Sequence, residues 1–329
     1  SLEQCSSEIT ARYKARLLQG DSLTDLTGGF GIDCSFLATG FKSATYVERQ
    51  EELCEIAAHN FPVLNLNHIN IKNEDGVTYL QVMSPVDCLF LDPARRNEHG
   101  GKTVAISDCE PNVAELEELL LQKANRVMIK LSPMLDLSLA LKELKQTQEV
   151  HILSVNNECK ELLILLGQTS PAEISIHCVN LFTKGTQKEQ HFVFTREQEQ
   201  CSECTYTDSL ETYLYEPNAS LLKAGAFRSI AAAYPVRKLH PNSHLYTSDT
   251  FIENFPGRIF RIVNQCSFNK KEVKENLADL KKANVTVRNS PATVAELRKR
   301  IHLAEGGDTY LFASTLNNGQ KVIIRCEKV

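Results

Sequence analysis

Over the first two thirds of the chain, short apolar runs alternate with stretches of helical spacing. Ser22 to Leu26, Ala44 to Glu48, Leu66 to Ile71, Val86 to Leu91, Arg126 to Leu131 and Val150 to Val155 read as strands. Between them, Ile32 to Thr39, Gln50 to Asn60, Val113 to Lys123 and Leu135 to Lys145 carry the helical period. Such alternation predicts a mostly parallel sheet with helices on both faces. The run Val86-Asp-Cys-Leu-Phe-Leu91 is apolar enough to be buried on both of its faces. Glu173 to Phe182 and His191 to Thr195 flank the turn-like Thr183-Lys-Gly-Thr186, a hairpin that closes the sheet with an antiparallel strand. Cys159 to Leu166 is too short for its pattern to decide between helix and strand.

A boundary is expected at Glu216-Pro217, giving domains 1–216 and 217–329. The second opens with a helix (Ala219 to Ala233) and a Pro, His and Asn-rich link (Pro235 to Asp249). Strand Arg258 to Val263, helix Lys270 to Ala283, strand Val285 to Arg288 and helix Thr293 to Leu303 follow. A hairpin, Tyr310 to Thr315 and Lys321 to Arg325, turns at Asn317-Asn-Gly319. This β-α-β-α-β-β order predicts a small α+β sandwich of ferredoxin-like type.

Length agrees with two domains, since 329 residues exceed what one core usually holds. Ordinary globular composition excludes disordered and fibrous classes. No apolar run approaches a membrane span, and no secretory leader pattern is visible, so a soluble cytoplasmic protein is expected. The chain opens on Ser1-Leu2 without a methionine, so a preceding segment is expected. Eleven scattered cysteines suit reduced thiols. One isolated CxxC, Cys201 to Cys204, and nine unclustered histidines predict no metal. Charge is uneven: residues 1–216 hold 18 basic against 32 acidic side chains, and residues 217–329 hold 18 against 9. A basic C-terminal third points to a polyanionic partner such as RNA. The Lys270 to Lys282 run alone reads as a solvated helix.

The strongest local signal is Asp25-Leu-Thr-Gly28-Gly29-Phe30-Gly31-Ile-Asp33, which follows a predicted strand and opens a helix. Its glycines permit a sharp turn and close approach of backbone N–H groups to a ligand. Glu48, at the end of the next strand, is placed to accept both hydroxyls of a ribose. The glycine spacing is not that of a dinucleotide site, and Asp25 would repel a pyrophosphate. A cationic nucleoside without phosphates fits instead, which describes S-adenosylmethionine.

DLTGGFGID followed by Tyr46-Val-Glu48-Arg49 resembles motifs I and II of class I methyltransferases. The resemblance implies that Gly28 to Gly31 hold the methionine end and Glu48 the ribose. It also implies that Asp75, in Asn73-Glu-Asp75, meets the adenine amine. Leu89-Phe-Leu-Asp92-Pro93-Ala-Arg95-Arg96 then stands where motif IV belongs. With Lys130 to Pro133 (KLSP) and Glu158 to Glu161 (ECKE), the pattern resembles a bacterial group of methyltransferases with a THUMP-like C-terminal domain. The implied fold is a Rossmann-like sheet with a smaller α+β domain; the implied activity is methyl transfer to RNA.

Methyl transfer from a sulfonium is an in-line displacement, so positioning is the protein's main task. Asp92 and Pro93 match the amine-methylating motif, whereas Ala94 replaces a proline and Arg95 the aromatic platform that stacks on a flipped base. Arg95 and Arg96 suit stacking on a base or binding phosphate. Carbon methylation would need a cysteine nucleophile, for which Cys109 is the candidate, although Asp108 and Glu110 disfavour its thiolate. Near Asp92, Lys130 reads as an ion-pair partner. In the C-terminal third, Lys223, Arg228, Arg237, Lys238, Arg258 and Arg261 are candidates to track a phosphate backbone, with Tyr234, Tyr246, Phe251 and Phe255 interleaved. Other readings of the same chain are a small-molecule or protein methyltransferase, and a non-catalytic RNA-binding protein that keeps the cofactor fold.

Overall fold

The computed structural model describes residues 6–95 and 105–329. Contacts divide the chain into two compact units, Ser1–Thr195 and Arg196–Val329. Unit 1 begins with α1 (Glu8–Ala15), β1 (Ser22–Asp25), α2 (Ile32–Leu37), β2 (Ser43–Glu48), α3 (Glu51–Val63), β3 (Ile69–Asn73) and α4 (Gly76–Val82). It continues with β4 (Val86–Leu91), β5 (Ala94–Arg95), β6 (Cys109–Glu110), α5 (Val113–Lys123), β7 (Ala124–Leu131), α6 (Leu137–Glu143), β8 (Thr147–Val155), β9 (Glu158–Gly167), β10 (Ser175–Leu181) and β11 (Glu189–Thr195).

Nine of these strands form one sheet in the order β11-β10-β8-β9-β7-β4-β1-β2-β3, and β5 pairs with β6 apart from it. From β3 to β7 every pairing is parallel. β9 is inserted antiparallel between β7 and β8, which answers the ambiguity at Cys159 to Leu166. Leu162 to Leu166 are all fully buried, so both faces of β9 lie in the core and no alternation marks it as a strand. β10 and β11 form the expected hairpin.

Unit 2 contains α7 (Arg196–Cys201), β12 (Tyr213–Pro217), α8 (Ala219–Ala224), α9 (Phe227–Ala233), β13 (Arg237–Lys238), β14 (Tyr246–Ser248) and β15 (Gly257–Cys266). Then come α10 (Lys270–Leu277), β16 (Asn284–Val287), α11 (Val294–Ile301), β17 (Thr309–Thr315) and β18 (Lys321–Lys328). Its seven strands run β13-β14-β12-β15-β18-β17-β16, with the β-α-β-α-β-β order intact from β15 onward. Leu214, Phe260, Phe312 and Ile324 fill one core cluster, and Val273, Leu277, Leu297 and Ile323 another beneath α10 and α11.

Two expectations change. The helix expected over Ala219 to Ala233 is two short helices, broken where Gly225 takes φ of 74°. The boundary expected at 216 falls inside β12, whose register with β14 and β15 ties it to unit 2. The earlier division returns six acidic residues to unit 2, which then holds 19 basic against 15 acidic side chains. The charge contrast is therefore milder than the sequence boundary implied.

Candidate functional site

The turn after β1 is fixed by contacts that only glycine permits. Gly28 N–H bonds Val47 O at 2.8 Å, and a Cβ on Gly28 would lie 2.2 Å from the Tyr46 ring. Gly31 takes φ of 76° as it opens α2, a conformation costly for side chains with a Cβ. Tyr46 Oη donates to Gly29 O, pinning the loop to β2. Leu26 N–H reaches Phe90 O at 3.0 Å and Asp92 N–H reaches Thr27 Oγ1 at 2.6 Å, so the ends of β1 and β4 form one ledge.

A cleft of about 1150 Å³ opens above this ledge. Gly29, Glu48, Arg49, Asp75 and Asp92 line it, together with the Thr27 turn and Glu110 to Asn112. Glu48 is buried at the cleft wall, and its two carboxylate oxygens accept the Gly29 and Gln50 N–H groups, each at 2.9 Å. Asp75 caps α4, with the Val77 and Thr78 N–H groups both 3.0 Å from Oδ1. Arg49 lies 3.6 Å from Glu110.

Asp25, Gly28 and Gly31 shape the turn from behind the cleft. Asp25 is fully buried and accepts the Thr27 N–H at 2.9 Å; burial pushes its carboxyl up to about 8. Phe30 is 37% exposed and lies off the cleft. Pro93 is buried beside Asp92. Arg95 contributes backbone to β5, and Arg96 lies outside the described residues. Cys109 is buried and pairs with Arg95 across the two-stranded ladder.

Beneath Asp92 lies a charge network that the sequence showed only in part. Lys130 Nζ is 2.6 Å from Asp92 Oδ2 and 3.2 Å from Asp33 Oδ2, the ion pair expected for it and one more. Lys14, on α1, is fully buried and reaches Asp33 Oδ1 at 3.1 Å and Glu161 Oε2 at 2.5 Å. Burial pulls the Lys130 ammonium down, but the Asp92 and Asp33 charges outweigh it and hold it above the ordinary lysine range. Burial raises the Asp92 carboxyl and Lys130 offsets this only partly. Burial also works against the Asp33 carboxylate, yet Lys14 and Lys130 together hold it below its usual value. Asp33 is thus a member of this network and not a cleft residue. Lys14 escaped sequence reasoning because a lysine on a short polar helix reads as solvated, and Glu161, part of the ECKE motif, was given no role because its partner lies 147 positions earlier.

Farther along the same sheet, Glu149, His151 and His177 come together, with donor atoms all within 4.8 Å of one another. Spacing along the chain does not reveal this group, because His177 arrives from the neighbouring strand.

In unit 2 the six candidate cations do not form a free basic track. Lys238 is 1% exposed, with Nζ donating to His240 O at 2.8 Å and to Pro241 O; it is structural, and burial lowers it to about 8. Arg258 pairs with Glu216, Arg261 with Glu327 and Arg237 with Glu211. Arg228 donates to Gln200 O at 3.2 Å, and Lys223 is likewise engaged. Tyr246 and Phe255 belong to the core. Cations that do face solvent include Lys270, Lys274, Lys281, Lys282 and Lys299, on or beside α10 and α11.

Residues 213–256 match the model of a ferredoxin-like domain, and residues 257–328 that of a THUMP domain-like family. A crystal structure of a candidate methyltransferase from Porphyromonas gingivalis W83 is 37% identical with a TM-score of 0.91, covering 100% of this chain and 82% of that one. An rRNA methylase from Streptococcus thermophilus is 14% identical with a TM-score of 0.37, over 50% of this chain and 97% of its own. That likeness is too distant to carry weight. No curated protein matches the chain.

Proposed function

Because the chain belongs to the class I methyltransferases that carry a THUMP-like C-terminal domain, we propose that it binds S-adenosylmethionine in the cleft of unit 1 and methylates RNA. The observation that carries this reading is the convergence of Glu48, Asp75 and Asp92 on one cleft around the Gly28 to Gly31 turn. Each carboxylate oxygen of Glu48 accepts one N–H and retains a lone pair, so it can still take the two ribose hydroxyls. The bonds of Asp75 converge on Oδ1, which leaves Oδ2 to meet the adenine amine. A Cβ on Gly29 would find only Thr27 O, at 3.7 Å, so this turn leaves room for the methionine end. The carboxylates of Asp92 and Asp33 favour a sulfonium over any phosphate nearby.

An RNA substrate is supported by the THUMP domain-like match and by the exposed lysines around α10 and α11. No helix among the described residues is long and apolar enough to cross a membrane.

The test is transfer of labelled methyl groups from S-adenosylmethionine to RNA taken from cells lacking the protein. Label should enter RNA and vanish with Asp92→Ala. Calorimetry should show S-adenosylmethionine binding weakened by Glu48→Ala. Failure to bind this donor would overturn the reading.

A further inference from the structure

One hydroxyl inside the buried charge network is out of keeping with the rest. Ser6 Oγ, just ahead of α1, receives Lys14 Nζ at 2.8 Å and Lys130 Nζ at 3.2 Å, and donates to Asp33 Oδ2 at 2.8 Å. Two ammonium groups and one carboxylate thus converge on a single hydroxyl oxygen that comes from a segment preceding the first helix. Lys130 also touches Asp92, so this socket adjoins the cleft.

We propose that this socket, formed by Lys14, Lys130 and Asp33, is the seat of the methyl acceptor; that the acceptor is a ribose 2′-hydroxyl of RNA; and that Ser6 fills the seat until RNA displaces it. The proposal rests on the methyltransferase reading above and specifies its substrate atom. Complementarity decides among acceptors. A hydroxyl accepts two hydrogen bonds and donates one, which is what the socket offers. An exocyclic amine presents hydrogens that two ammonium groups cannot receive. A ring nitrogen has one lone pair and no hydrogen for Asp33, and a ring carbon has neither.

The chemistry balances without a further reactant. Lys130, the looser of the two donors at 3.2 Å and already bonded to Asp92 at 2.6 Å, gives up its bond to the ribose oxygen. The lone pair so freed forms the bond to the methyl carbon as the carbon–sulfur bond breaks, and the electron pair of that broken bond stays on sulfur as a neutral thioether. The hydroxyl proton passes to Asp33 Oδ2, the atom that accepts the Ser6 hydrogen bond in this structure, once O–C bond formation has made the oxygen acidic enough for a carboxylate held low by two ammonium groups to take it. Lys14 holds the oxygen in line with the methyl group, and Lys130 stays with Asp92. The departure from the amine-methylating motif at Ala94 and Arg95 then has a reason, because a ribose acceptor needs no stacked base.

The experiment digests methylated RNA to nucleosides and identifies the products by mass spectrometry, for the parent protein, Lys14→Met and Ser6→Ala. Expected are 2′-O-methylated nucleosides. Lys14→Met should lower kcat by about 100-fold or more while donor affinity stays within about twofold. Ser6→Ala should raise kcat/KM by about two- to tenfold, because the seat no longer has to be vacated. It removes one half-buried hydroxyl and no charge, and serves as the informative variant if Lys14→Met fails to fold. Methyl groups on bases would overturn the socket while leaving the methyltransferase reading intact, as would a fall in kcat/KM for Ser6→Ala. Donor binding with no label in any RNA would overturn both the RNA substrate and this seat.

Discussion

In unit 2, Glu216 is 1% exposed and held by arginines on both oxygens: Arg288 Nη2 at 2.9 Å from Oε1, Arg258 Nε at 2.8 Å from Oε2. In unit 1, lysines do the matching work, and Lys14 and Lys130 face Asp33, Asp92 and Glu161. Guanidinium forks fix the direction of every bond, so the first cluster ties β12 to β15 through Arg258 and to the residue after β16 through Arg288, and offers nothing to a ligand. Ammonium groups are point charges whose hydrogens turn freely, so the second can exchange one oxygen for another. The balance of charge differs as well. Two guanidiniums surround one carboxylate in unit 2, whereas two ammoniums share three carboxylates in unit 1, a surplus of negative charge that suits the cationic donor proposed for the cleft. Buried charge alone does not mark a site; the kind of cation and the sign of the remainder do.

Four measurements can break or sharpen this contrast. Lys130→Met takes the shared cation from Asp33 and Asp92, and should cost about 3–5 kcal/mol in urea denaturation as well as methyl transfer. A loss below about 1 kcal/mol would mean the network is not held together by charge. Glu216→Gln should cost about 2–3 kcal/mol, at or below the low end for a broken buried pair, because Arg258 and Arg288 side chains are each 34% exposed and keep some water. Donor affinity should not change; a clear drop would make Glu216 more than a brace.

Asp25 sharpens the comparison through pH. Its folded carboxyl holds a proton up to about 8, while an unfolded aspartate releases it near 4. The folded state therefore binds the extra proton between those values, and stability declines as pH rises through this window. Asp25→Asn should flatten that decline, so denaturation curves of parent and variant that stay parallel from pH 4 to 8 would refute the assignment. The smallest effect on folding is expected from Lys281→Glu with Lys282→Glu, both exposed. Stability should stay within about 0.5 kcal/mol, while RNA affinity falls and its log–log salt slope shrinks by about 1–2. An unchanged slope would remove these lysines from the RNA surface.

What could be read from the sequence followed from how each residue declares itself. The Gly28 to Gly31 turn, Glu48 and Asp92 were legible because strand ends and glycines mark the rim of an open α/β sheet. Val86 to Leu91 and Val113 to Lys123 were placed to the residue. α1 went unread because EITARYKA carries little amphipathic signal, although Lys14 within it is fully buried. Lys238 misled in the opposite direction, since nothing local distinguishes a lysine that bonds backbone carbonyls from one in solvent. Charge pairing is a property of the fold, and one-dimensional counts of Lys and Arg cannot see it.

The Lys14–Glu161 pair joins positions 147 apart, and the later partner sits on a strand threaded between two others that precede it in the chain. During synthesis the ribosome delivers the glycine turn, Glu48 and Asp92 before residue 161 exists. At ordinary elongation speeds the interval from Asp92 to Glu161 is roughly 3–14 s. Throughout it a nascent chain holds the donor-side residues, while Lys14 has no Glu161 to meet. The insertion of β9 thus comes late, and Lys14, a member of the seat, gains its second carboxylate only when most of unit 1 has been made.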